Sequence, residues 1–405
     1  MNMKHYLLSV LIIFGGVFSL VNSAQAQHSI NEEGIEFFHG SWEEVLKEAK
    51  AKKRVIFVDA YTSWCGPCKM MARSTFTDGE VGKFYNKNFI NYKLDMEKGE
   101  GPNFAAKFAV RAYPTLLYIN HKEEVVHKVL GFRPPDKFLA EGKVAANPAK
   151  NQAALEEEVK AGTNNSQVLF DYAMKLYNAG EDYSEAAGKY FKTQSTKDLA
   201  SERNWKAIQA LSSDLKSREM NYLFKKQKIF VKKYGVRSVN NKIANVCAQQ
   251  VERAVREGDE GAFKEAVKVA NKSIDDEGKV ATSLSMYHAE MMGDWDEYAK
   301  QAVAFFNNYR VTDPLALNNA AWNFFLHVDN KKHLESAIKW GKQSVAIENA
   351  YYNNDTVASL LYKAEKHGEA LKIANKALRI AEENGEDGTE TEKLIQMIKK
   401  AQNGN

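Results

Sequence analysis

Two cysteines two residues apart, Cys65 and Cys68, close an apolar run that reads Phe57-Val-Asp-Ala-Tyr-Thr-Ser-Trp-Cys65-Gly-Pro-Cys68-Lys69. Helix-compatible sequence follows, which sets the first sulfur at a helix N-terminus, where unpaired backbone N–H groups favour a thiolate. Cys65 is therefore the candidate nucleophile. Cys68 lies one helical turn further on, close enough to attack a mixed disulfide on Cys65 and release a reduced substrate. The same spacing serves zinc, but a closed zinc site needs four nitrogen, sulfur or oxygen ligands. The third cysteine, Cys247, stands far off in a different kind of sequence, and the nine histidines show no ligand-like pairing. No metal is expected. A purely structural disulfide stays open on these residues alone, although cross-linking so short a loop adds little stability.

Trp64-Cys-Gly-Pro-Cys-Lys69 resembles the active-site sequence of the thioredoxin family, and separated positions on either side support the likeness. Asp59 falls where thioredoxins keep a buried carboxylate beneath the second cysteine. Tyr113-Pro114-Thr115 resembles the segment whose proline is cis in the family, packs against the thiols and leaves the preceding backbone free to pair with an extended substrate. Lys93, in Tyr92-Lys-Leu-Asp95, resembles the lysine beside the buried acid. The resemblance implies Cys65 and Cys68 as a redox-active disulfide and Asp59 and Pro114 as their catalytic partners. It further implies Trp64, Gly66, Pro67, Tyr113 and Thr115 as the substrate-contacting surface, with Lys69 and Lys93 supporting. No cofactor is implied. Gly66-Pro67 is the dipeptide of reducing thioredoxins, whose thiol pKa of ~7 and potential of about −270 mV favour reduction over oxidation. The stretch 68–81 departs from cytosolic thioredoxins and is more similar to the thioredoxin-like domains of periplasmic reductases, including the soluble C-terminal domain of transmembrane thiol:disulfide interchange proteins. The likeness covers roughly residues 35–147, about a quarter of the chain.

The elements that must position these residues are legible around them. Residues 35–38 read as a short first strand, and Ser41-Trp-Glu-Glu44 is a capping box that opens a helix over 41–52. Residues 55–60 are continuously apolar except for Asp59, the pattern of a central strand covered on both faces. An acid there is costly. It is either a carboxylate satisfied by hydrogen bonds or a proton acceptor of raised pKa that deprotonates Cys68; its place next to the thiols argues for the second. The active-site helix should run over 66–86 with a break near Asp78-Gly79, followed by a strand over 89–95 and a short helix or turn over 102–108. A hairpin over 115–119 and 124–130 and a closing helix over 134–146 complete the unit. Trp64 can shield the thiolate and offer flat contact area. Met70 and Met71 suit either an adaptable substrate groove or core filling.

At 405 residues the chain exceeds one such domain, since single cores stop growing near ~250 residues. The formal charge of +4 creates no field that calls for nucleic acid. Residues 1–26 carry Lys4 and His5, an apolar run over 6–20 and Ala24-Gln25-Ala26, the pattern of a signal peptide cleaved after Ala26. Export to the periplasm is expected, where disulfides form. An uncleaved N-terminal anchor is the weaker alternative, because the run is short for a membrane span and holds Gly15, Gly16 and Ser19.

After Pro148 the composition changes, and from Ala149 to Asn405 Pro314 is the only proline. Alanine-rich amphipathic segments take over. Leu334, Ile338, Gly341 and Val345 recur 33 residues later as His367, Leu371, Ala374 and Leu378, close to the 34-residue tetratricopeptide period. Weaker copies run from Ala173 to Tyr190 and from His288 to Ala302. The basic stretch from Phe224 to Arg237 reads as a solvated helix with one buried face, and Cys247 as a small buried residue.

The expected organisation is a signal peptide over 1–26, an α/β thioredoxin fold with a central mixed sheet flanked by helices over 27–148, and an all-α, tetratricopeptide-like helical-repeat region over 149–405. The expected function is an exported thiol–disulfide oxidoreductase that reduces protein disulfides. Its partners would be disulfide-containing exported proteins and a membrane thiol reductase as electron donor, with the helical region recruiting partners or forming a homodimer. Disulfide isomerisation, or a protein-binding scaffold with an accessory redox domain, are the alternatives.

Overall fold

The structure, a computed structural model, describes residues 34–274 and 278–403. The leader and its expected cleavage site lie outside the described residues. Ser41 opens α1 (Trp42–Lys52): its hydroxyl accepts the Glu44 N–H while the Glu44 carboxylate takes the Ser41 N–H at 2.8 Å. Two otherwise unpaired donors are satisfied reciprocally. The chain then enters β1 (Val55–Tyr61), continues after the turn into α2 (Gly66–Met70) and α3 (Gly79–Asn88), and returns as β2 (Phe89–Asp95). After α4 (Gly101–Lys107) come β3 (Thr115–Ile119), β4 (Val125–Leu130) and α5 (Pro135–Ala145). The sheet is mixed, in the order β2-β1-β3-β4, with β1 parallel to β2 and antiparallel to β3.

Alternation along β1 sorts its side chains into two layers. Ile56, Val58 and Ala60 pack with Val45 and Ala49 of α1 and with Phe104 and Phe108. Phe57 packs on the other face with Met71, Phe76, Tyr85 and Phe138. Asp59 and Tyr61, spaced by two from Phe57, share that second face, which is the face of the active-site helix.

Two local expectations are corrected. The active-site helix is not one α-helix up to a single break: a π-helical turn over Met71–Thr75 follows α2, and Asp78 then caps α3 by accepting the Val81 N–H at 3.0 Å. Residues 35–38 are extended but form no strand, because no continuous ladder is available to them. Ile35 N–H donates to Phe76 O and Phe38 N–H to Asn91 O, both at 2.7 Å, and amide side chains supply the remaining bonds.

The chain divides into two compact units between Ala154 and Leu155. Among the described residues from Gln152–Lys160 to Thr389–Asn403 there are fifteen α-helices and no strand. Successive helices pack against each other in its last third, and the helices that begin at Trp295, Lys331 and His367 start 36 residues apart. The buried faces keep that spacing, Leu334, Ile338 and Gly341 answering to Ala370, Ala374 and Ala377, so the 33-residue recurrence expected from the sequence is corrected to 36, about one helical turn further on. Pro314 occupies the first turn of its helix, where its missing N–H is harmless. The basic stretch 224–237 is not one helix: it takes in the end of Arg218–Lys225, all of Gln227–Tyr234 and the start of Val236–Glu257, with Phe230 fully buried. Among the described residues no helix is long and apolar enough to cross a membrane.

Candidate redox site

Cys65 is the N-cap of α2, in extended conformation, and its sulfur accepts the Cys68 N–H at 3.1 Å. Pro67 in the first turn keeps the helix start rigid without wasting a donor. The two sulfurs are bonded to each other at 2.01 Å. Each cysteine is nearly covered, 3% and 4% exposed, whereas Gly66, Pro67 and Lys69 around them face solvent. A thiolate at the N-cap position would receive the same backbone donor and the positive end of the helix.

Asp59 sits mid-way along β1 and is 1% exposed. Its register partners are Lys93 on β2 and Leu116 on β3. Lys93 Nζ lies 3.6 Å from Asp59 Oδ2, an ion pair too long for a hydrogen bond, and neither carboxylate oxygen has a hydrogen-bond partner. The reading of Asp59 as a carboxylate satisfied by hydrogen bonds therefore has no support. Burial pushes its carboxyl up to about 6, partly opposed by the Lys93 charge.

Trp64 is 64% exposed. Its indole N–H donates to Glu97 Oε1 at 2.9 Å, and its ring meets Tyr113 edge-on at 5.9 Å. The Tyr113–Pro114 peptide bond is cis, Pro114 is buried, and Pro114 O accepts the Gly131 N–H at 2.8 Å. Thr115 is buried and donates to Ala112 O at 2.7 Å. Met70 and Met71 divide the two roles open to them: Met71 is fully buried in the core and Met70 is 51% exposed on the rim. Glu97 carries no local signal in the sequence, where it is one acid in a charged loop. Tyr61, Phe37 and Phe76 surround Lys93, and of these only Tyr61, two residues from Asp59 and so on its face, has a signal in the sequence.

A family model described as thioredoxin-like domain matches residues 42–146. The thioredoxin of Staphylococcus epidermidis is 39% identical over 91 residues, which are 22% of this chain and 82% of that protein. The chain belongs to the thioredoxin family. A Staphylococcus aureus thioredoxin is 37% identical over the same lengths. Among solved structures, a protein of Bacteroides thetaiotaomicron described as a candidate disulphide-isomerase is 41% identical, covering 29% of this chain and 97% of its own, with a TM-score of 0.27. The thioredoxin-like unit with its bonded Cys65–Cys68 pair is that of a thiol–disulfide oxidoreductase. The helices beyond residue 146 lie outside the family match.

Proposed function

We propose that this thioredoxin-family chain is an exported reductase of protein disulfides. The observation that carries the reading is a bonded cysteine pair whose first sulfur caps a helix, on an element that packs over the strand face bearing a buried carboxylate with no hydrogen-bond partner. In the reduced protein the Cys65 thiolate attacks a substrate disulfide. One substrate sulfur leaves as a thiol, and the other stays bonded to Cys65. Asp59 takes the Cys68 proton, the Cys68 sulfur attacks Cys65 Sγ, and the second substrate thiol departs as the Cys65–Cys68 bond forms. Two electrons have then passed to the substrate, and a membrane thiol reductase on the exported side returns them. Trp64, Met70 and Tyr113 offer an apolar rim for an extended substrate segment, with Gly66 and Pro67 allowing close approach to sulfurs that are almost covered.

Export is supported by the pattern of residues 1–26. The helical region is a tetratricopeptide-type array that recruits partners, a reading supported by packed successive helices that recur every 36 residues. The test is the full-length Cys68→Ser protein expressed in its own cells. It should accumulate substrates bonded to Cys65, released by dithiothreitol and identified by mass spectrometry as exported, disulfide-containing proteins. A trap that holds nothing, together with no dithiol-dependent reduction of insulin by the wild-type protein, overturns the proposal.

A further inference from the structure

We propose that segment 34–38, which precedes the family match, is part of the redox site, and that its Phe37 together with Tyr61 are positioning residues holding the Lys93 ammonium against the Asp59 carboxylate. The inference rests on the reading of Asp59 as the acceptor of the Cys68 proton.

The Asp59 carboxylate draws the Lys93 ammonium to 3.6 Å without a hydrogen bond, and with the lysine side chain 30% exposed water competes for it. Aromatic rings add a second hold. Lys93 Nζ lies 4.6 Å from the centre of the Tyr61 ring, 5.8 Å from Phe76 and 5.9 Å from Phe37. Ring faces attract ammonium groups at these distances. Phe37 in turn meets Phe76 edge-on at 5.6 Å. Phe76 closes the π-turn of the active-site helix, its N–H donating to Met71 O, so the rings tie Lys93 to the element that carries Cys68.

Segment 34–38 is fastened for this task. Besides the bonds from Ile35 to Phe76 O and from Phe38 to Asn91 O, Glu36 N–H donates to Asn86 Oδ1 at 3.0 Å and Asn91 Nδ2 to Glu36 O at 3.2 Å. At Gly34 the backbone passes so close that a Cβ would stand 2.2 Å from Phe76 O, which only glycine avoids. The other charged and titratable groups around the Asp59–Lys93 pair are Asp95 on β2, Tyr61 on β1 and Lys98 in the loop after β2. Leu116 on β3, Phe76 and Phe37 face it without charge. A Lys93 released to solvent would leave the burial of Asp59 unopposed, so the acceptor would ionise at higher pH.

The experiment uses the full chain with Cys65 alone carrying a thionitrobenzoate, released when Cys68 attacks Cys65 Sγ and the internal disulfide forms. Release is followed across pH 5–9, and the Asp59 carboxyl carbon is titrated by NMR in the oxidised protein. In Phe37→Leu and Tyr61→Leu both profiles should move up by about half a pH unit, slowing release about threefold on the acid limb. Tyr61→Phe keeps the ring and should match wild type. Lys93→Met sets the upper limit of the shift. Leucine variants that lose stability toward urea yet keep the wild-type profiles overturn the inference, as does a Tyr61→Phe variant that shifts like Tyr61→Leu. Asp59→Asn separates the two readings: if it leaves the release profile unchanged, the acceptor role itself fails and this inference with it. If it removes the acid limb while the leucine variants leave that limb in place, the positioning role alone fails.

Discussion

The Trp64 indole and the Glu97 carboxylate, 33 residues apart in sequence, are joined by a hydrogen bond of 2.9 Å at the surface beside the disulfide. The bond ties down a largely exposed ring in the residue next to Cys65, so that a substrate finds its flat contact surface already ordered. An exposed hydrogen bond of this kind contributes about 0.5–1.5 kcal/mol. Glu97→Ala should therefore lower kcat/KM for insulin reduction by about two- to tenfold, mainly through KM, and lower stability toward urea by no more than about 1.5 kcal/mol. Equal kinetics in the variant would show that the ring needs no anchor.

Asp59 makes stability depend on pH in a direction opposite to that of an ordinary paired carboxylate. Its folded-state pKa of about 6 lies above the ordinary value of 3.8, so the stability associated with the neutral acid is complete below pH 3.8 and is lost as the pH rises through 6. The loss amounts to ~3 kcal/mol at most. Asp59→Asn should unfold at higher urea than wild type at pH 7.5 and at nearly the same urea at pH 4. Coincident midpoints at pH 7.5 would contradict the burial cost.

Cys247 should behave as packing and not as a third redox group. It is fully buried in the helical unit, and burial pushes its thiol up to about 12. Iodoacetamide applied to the reduced native protein at pH 8 should leave Cys247 unmodified by peptide mass mapping, while the unfolded chain reacts at all three cysteines. Rapid native modification of Cys247 would refute this.

Gly341 marks a helix crossing that tolerates no side chain. A Cβ there would stand 2.8 Å from Val357 Cγ2, across from the helix Tyr351–Lys363. Gly341→Leu should destabilise the helical unit by about 1–3 kcal/mol, read from the far-ultraviolet circular dichroism melt. Gly341→Ala should fall between that and wild type.

Sequence alone determined the chemistry and most of the element order. The cysteine pair, the glycine-proline dipeptide and the acid in an apolar strand are local patterns, and so are the capping box at Ser41 and the cap at Asp78. Local patterns survive translation into structure because each is satisfied by residues within a few positions. The run 35–38 looked like a strand for the same reason, yet its partners turned out to be Phe76, Asn86 and Asn91, which no local rule identifies. Tertiary structure decided which side chains surround the site. It brought Glu97 to Trp64, set Lys93 beside Asp59 at a distance too long to bond, and closed Phe37, Tyr61 and Phe76 around that lysine. Such contacts join distant segments whose meeting depends on strand order and layer, and neither is written in the residues that meet.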